Sequence, residues 1–68
     1  PMHCIIRSSP SGHRYVHSDG QHDMVFTTEE AAAAEVSRIK RLGSAHAATI
    51  HSEFKNTRQA RDFCRSIS

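Results

Sequence analysis

The chain has no tryptophan, one tyrosine and three phenylalanines among its 68 residues. With hydrophobic residues at 37%, that is material for one thin core. A domain of this size buries only about 60% of its unfolded surface and draws on a partner, a metal, disulfides or well-formed local structure for support. Cysteine is as scarce, with Cys4 and Cys64 the only two. Two are too few for a disulfide scaffold, so both are expected as small apolar core residues in a reducing, cytoplasmic setting. A Cys4–Cys64 bridge stays open, because spacing does not decide it. No apolar run approaches the roughly 18 residues needed to span a bilayer, and the N-terminus has no signal-peptide pattern. No membrane partner is expected. Pro1 ahead of Met2 reads as an added residue before the native start and is left out of the fold argument. No linker or low-complexity stretch divides the chain, so residues 1–68 are expected to form a single domain.

Much chemistry is missing as well. There is no Cys-x-x-Cys, no His-Glu-x-x-His and no glycine-rich phosphate loop. Six histidines are present, but His13 and His17 on one strand face would stand about 13 Å apart at ~3.3 Å per residue, too far to share a tetrahedral metal. Cys4 and Cys64 fall on expected core faces, and His3 beside Cys4 points to the opposite face of its strand. Neither thiol meets an oriented base. No metal, no cofactor and no catalysis are expected.

What is present is a stretch with clear local grammar, Asp19 to Ala31. Asp19-Gly20 is a strong hairpin signal, since a type I′ turn needs positive φ. Before it, Met2–Ser8 reads as a strand with Met2, Cys4 and Ile6 on one face. Ser9-Pro10-Ser11-Gly12 reads as a turn and His13–His17 as a second strand. His22–Phe26 reads as a third, completing an antiparallel meander. Thr27-x-x-Glu30 reads as a capping box opening a helix, with Glu29 and Glu30 at the positive end of its dipole and Gly43 closing it. Ala32, Val36, Ile39 and Leu42 share the face expected to pack on the sheet. Glu35 sits at the edge of that face and is expected to pair with Arg38 at i+3. Ala33 and Ala34 face away from the sheet, either for helix propensity or as a smooth surface for another helix.

His46–Ser52 reads as a fourth strand after a helical crossover, parallel to the third. Asn56 or Thr57 then caps a second helix, on which Ala60, Phe63, Cys64 and Ile67 form an apolar stripe. Phe26 leading into Ala31 and Phe54 leading into Ala60 echo each other weakly. The expected fold is a two-layer α+β domain, β-β-β-α-β-α, an antiparallel meander plus one further strand with two helices on one face. Its expected core is Cys4, Ile6, Val16, Met24, Phe26, Ala32, Val36, Ile39, Leu42, Ile50, Phe63, Cys64 and Ile67.

The net charge of +2 is unevenly placed. Residues 1–37 carry two cations against five carboxylates, a net of −3, and residues 38–68 carry seven against two, a net of +5. Such asymmetry favours an electrostatically steered partner. On the second helix Arg58, Arg61 and Arg65 fall within about 60° of one another, opposite the apolar stripe. Arginines on one stripe fork to carboxylates or phosphates, and Arg38 and Arg41 of the first helix would extend the patch. These five are the candidate partner-binding residues.

Two resemblances follow. Tyr15-Val16-His17-Ser18-Asp19-Gly20 with Val25-Phe26-Thr27-Thr28-Glu29-Glu30-Ala31 is similar, over residues 3–42, to the arm-type DNA-binding domain of phage integrases. That resemblance implies a three-stranded sheet laid in the DNA major groove and backed by one helix. In size and mixed charge the chain also resembles small phage-encoded host-takeover and anti-CRISPR proteins, which act by occupying a surface. Residues 1–26 balance Arg7 and Arg14 with Asp19 and Asp23, whereas a DNA-reading sheet carries several cations for phosphates. The leading expectation is therefore a small non-catalytic binding protein, phage or mobile-element in style, that inhibits a host protein complex such as a CRISPR effector by occupying its surface. The alternative is a nucleic-acid-binding domain using the basic C-terminal half. A core this thin also fits a homodimer.

Overall fold

The strand Cys4–Ser8 (β1) is buried along Cys4, Ile5, Ile6 and Arg7 without a break. Successive strand residues point to opposite faces, so unbroken burial means that both faces of β1 are covered. The computed structural model, which describes residues 2–66, shows what covers them. Arg14–Val16 (β2) and Ala47–His51 (β3) flank β1, both antiparallel to it, giving the sheet order β2-β1-β3. Two helices, Glu29–Arg41 (α1) and Thr57–Ser66 (α2), complete a small α+β domain.

The pleat of β1 divides the core. Cys4 and Ile6 join Val16, Ala60 and Cys64 in one cluster beneath α2, ringed by Met2, Phe54 and Phe63. Ile5 and Arg7 point the other way, to the side of α1, where Ala32 and Ile39 are buried. The helices thus lie one against each face of the sheet, in place of the expected pair on a single face. The physical reason is Ile5, which is fully buried. It gives β1 a second apolar face that the Met2, Cys4, Ile6 alternation alone does not reveal.

The strand pairing also differs from the expected meander. Gly20 at φ 101° turns the chain as Asp19-Gly20 predicts, with the Asp19 carboxylate accepting from the N–H groups of Gln21 and His22 at 2.9 Å each. The segment after it makes only isolated bridges, Ser18 to Asp23 and His3 to Phe26, and forms no strand. Met24 and Phe26 are consequently half-buried at the border. With no third strand to join, β3 pairs along the full length of β1, from Cys4–His51 to Ser8–Ala47. The helical crossover still links parallel strands, but they are β2 and β3, with β1 inserted between them.

Local capping follows side-chain chemistry closely. α1 is capped by Thr28, whose hydroxyl accepts from Ala31 N–H at 3.1 Å, one residue later than Thr27. That shift takes Glu30 out of the reciprocal position. A variant of the reciprocal arrangement appears at α2: the Asn56 side chain accepts from Gln59 N–H at 2.9 Å, and Gln59 accepts at 2.8 Å from the N–H of Lys55, one residue before the cap. Gly43 at φ 74° closes α1 and bonds back to the Lys40 carbonyl. Leu42 just before it is 70% exposed and leaves the expected core, while Val36, Ile50 and Phe63 are half-buried. Ile67 lies outside the described residues. Among the described residues no helix is long and apolar enough to cross a membrane.

Candidate functional site

On the α1 face, a chain of polar side chains starts at Arg7. Its guanidinium donates to Ser44 Oγ at 2.7 Å, to the carbonyls of Ala47 and His46 at 3.2 and 3.3 Å, and to His17 Nδ1 at 3.2 Å. Arginine only donates, so Nδ1 of His17 is the acceptor and its Nε2 carries the hydrogen. Nε2–H donates to Glu35 at 2.6 Å, and Arg38 forks onto both oxygens of the same carboxylate at 2.8 and 2.7 Å. Arg38 holds the Glu35 carboxyl down to about 2, with His17 assisting and burial opposing. The expected Glu35–Arg38 pair is present, extended inward by two buried side chains, Arg7 and His17. The hydrogen bonds of this chain run to structural partners. They tie β1, the end of β2 and α1 together.

The α2 face is built differently. Arg14 opens β2, opposite Ser8 of β1, and shares a face with Val16 two residues on. Its guanidinium carbon stands 4.5 Å from the Phe63 ring centroid, a cation–π contact. Phe63 in turn packs with His51 and Phe54 at ring separations of 5.3 and 5.4 Å. The aromatic cluster fixes the arginine plane. Yet Nη2 of Arg14 is buried with no hydrogen-bond partner. A buried guanidinium nitrogen without an acceptor costs about 1–3 kcal/mol.

Arg14 is one of the residues lining an open cleft of about 430 Å³, with His13, Tyr15, Asp23, Arg61 and Arg65, and with Val16 and Cys64 at its apolar floor. Arg61 donates Nε to Asp23 at 2.6 Å, and Arg65 donates Nη2 to Asp62 at 3.0 Å. Asp23 comes from the segment after the Asp19-Gly20 turn, which brings a carboxylate back over α2. Three arginines therefore converge on a cleft with an apolar floor, two of them aimed by carboxylates. Burial pushes the Cys64 thiol up, with Arg14 pulling against it, and burial raises Cys4 to about 11, with Glu53, Cys64 and Asp23 adding to it. Such thiols are poor nucleophiles. Among the described residues, no three of the His, Cys, Asp and Glu side chains gather as a metal would require.

Of the residues expected to bind a partner, Arg61 and Arg65 line the cleft, and Arg58 is exposed on the same helix beyond its lining. Arg38 and Arg41 do not extend the patch. They lie on α1, across the sheet, and Arg38 is taken by Glu35. Arg14, His13, Tyr15 and Asp23 are polar lining residues that the spacing of arginines on helices does not disclose. A signal for Arg14 exists in its i, i+2 relation to Val16, which places it on the α2-facing side of β2. Compared with family models, curated proteins and solved structures, the chain has no match.

Proposed function

We propose that the chain is a small non-catalytic binding protein that takes an acidic segment of a partner protein into the cleft between β2 and α2. The observation that carries this reading is that three arginines, Arg14, Arg61 and Arg65, line one cleft, and that Nη2 of Arg14 has no hydrogen-bond partner within the fold. A carboxylate accepts from guanidinium in a fork, and the apolar floor of Val16 and Cys64 receives the flanking methylene groups. Occupying a surface in this way is the mode of action of small phage-encoded host-takeover proteins, and a larger host complex such as a CRISPR effector is the class of partner the proposal names.

Nucleic acid is the lesser reading for a geometric reason. The basic C-terminal half is divided, with Arg38 and Arg41 on one side of the sheet and Arg58, Arg61 and Arg65 on the other. The test is fluorescence anisotropy with a labelled Asp/Glu-rich peptide, its amide counterpart, and duplex and single-stranded DNA over a salt series. Binding of the acidic peptide alone, weakened by Arg14→Gln, supports the proposal. DNA binding with a steep salt slope, tighter than the peptide's, overturns it.

A further inference from the structure

We propose that the open edge of β3 and the flank of α1 above it form the contact surface between two copies of this chain. β3 lies at the edge of the sheet, bonded to β1 on one side only. The Ile5 carbonyl accepts from His17 N–H on the β2 side. By the antiparallel alternation, β1 therefore bonds β3 through Cys4, Ile6 and Ser8, opposite His51, Thr49 and Ala47. The main-chain groups of Ala48 and Ile50 then point outward. Edge strands are ordinarily blunted by proline, lysine, a bulge or shortness. β2 is short, at three residues, and is followed by the Ser18–Asp23 bridge. Ala47-Ala48-Thr49-Ile50-His51 has none of these protections.

The helix above supplies the choice of occupant. α1 packs chiefly on β3 and less on β1. Its Glu35 flank faces His17, next to the end of β2. At 100° per residue, Ala33 is about 160° from Glu35, so the opposite flank overhangs the open edge. That flank carries Glu29, Ala33, Ser37 and Lys40, all exposed. The strip is self-complementary. Turned about a twofold axis, Glu29 meets Lys40 of the second copy, and Ala33 meets Ser37.

One axis serves both elements. The midpoint of the helical strip, near residue 35, lies about 9 Å back from the end of α1 at ~1.5 Å per residue. Thr49, the centre of β3, lies about 7 Å beyond its start. The chain reverses between them through residues 42–46, so the two midpoints lie at similar distances from that connection. An axis through Thr49 sets Ala48 against Ile50 of the second copy and Ile50 against Ala48, filling the outward donors and acceptors. Strands then stand about 4.8 Å apart, and helices seated just inside them stand about 8–10 Å apart. Small residues at positions 33 and 37 accommodate that approach. The result is an isologous contact with one continuous six-stranded sheet, formed from three strands in each copy.

Sedimentation equilibrium of the full chain between roughly 1 μM and 1 mM tests this. The expected mass rises toward twice 7.6 kDa. Ala48→Pro removes an outward N–H without touching the β1 ladder, so it should give a monomer with an unchanged circular dichroism spectrum. Glu29→Lys should weaken the dimer by about tenfold or more, and Glu29→Lys with Lys40→Glu should restore it. Should Ala48→Pro fail to fold, the charge swap decides. A monomer throughout the range overturns the proposal. So does a dimer indifferent to both single substitutions, or a charge swap that does not restore association.

Discussion

Arg7 and Arg14 stand on neighbouring strands and point to opposite faces of one sheet, and the structure treats them in opposite ways. Arg7 reaches Ser44, His17 and two carbonyls. Arg14 is clamped on the Phe63 ring and leaves Nη2 with no acceptor. One face encloses a completed polar network and the other an uncompleted one. The difference lies in what each helix brings down. α1 brings Glu35, and the loop after it brings Ser44 and His46. α2 brings Phe63, whose ring packs against the guanidinium and supplies no oxygen acceptor. Completed networks hold folds together, and a buried donor left without an acceptor is the exception that needs an explanation.

The largest effect should come from breaking the completed side. Arg7→Ala strands His17, Ser44 and two carbonyls, at a cost of about 3–5 kcal/mol. That is close to the whole stability of a domain this small, so circular dichroism at 25 °C should show an unfolded chain. Arg14→Ala should stay folded, with a urea midpoint changed by no more than the equivalent of about 1 kcal/mol, because the lost cation–π contact and the relief of the unpartnered donor oppose each other. If Arg14→Ala unfolds the chain and Arg7→Ala does not, the assignment of roles is reversed.

A medium effect should appear with acid. Glu35 is held down to about 2, below its usual 4.5, first by Arg38 and then by His17. A depressed carboxyl contributes stability that is present above pH 4.5 and lost as the pH falls through 2. The contribution is at most about 3 kcal/mol, reduced by solvent screening of the half-exposed Arg38. Glu35→Gln should flatten the loss of stability between pH 4.5 and 2, as measured by urea unfolding across that window. A wild-type acid limb as steep in the variant would remove Glu35 from the account. The smallest effects should come at the caps. Asn56→Ala and Thr28→Ala should each cost about 1 kcal/mol or less, with Asn56 the larger because Gln59 completes its arrangement.

Much of this was legible in the residues. The Asp19-Gly20 turn, the Gly43 stop, the helix at Ala31–Ala34 and the apolar stripe of Ala60 and Cys64 follow from local chemistry that tertiary contacts did not override. What local chemistry does not settle is which side of the sheet each helix takes. Ile5 and Ile6 are adjacent and equally apolar, and only a sheet covered on both faces uses both. The placement of Arg38 and Arg41 across the sheet from α2 follows from the same fact. Arg14 was hidden because its partners, Phe63 and the cleft, are contributed by a helix more than forty residues later in the chain. The expected strand at His22–Phe26 was lost to the geometry of β2, which at three residues gives a returning strand too short a ladder.

The central claim is that the α2 face is receptive because Arg14 is incomplete. The most direct measurement is the affinity of the labelled acidic peptide for the wild-type chain and for Arg14→Gln, with melting temperatures recorded on the same samples. The account predicts a loss of about tenfold or more in affinity with little change in melting temperature. Equal affinities in two equally stable proteins would contradict it.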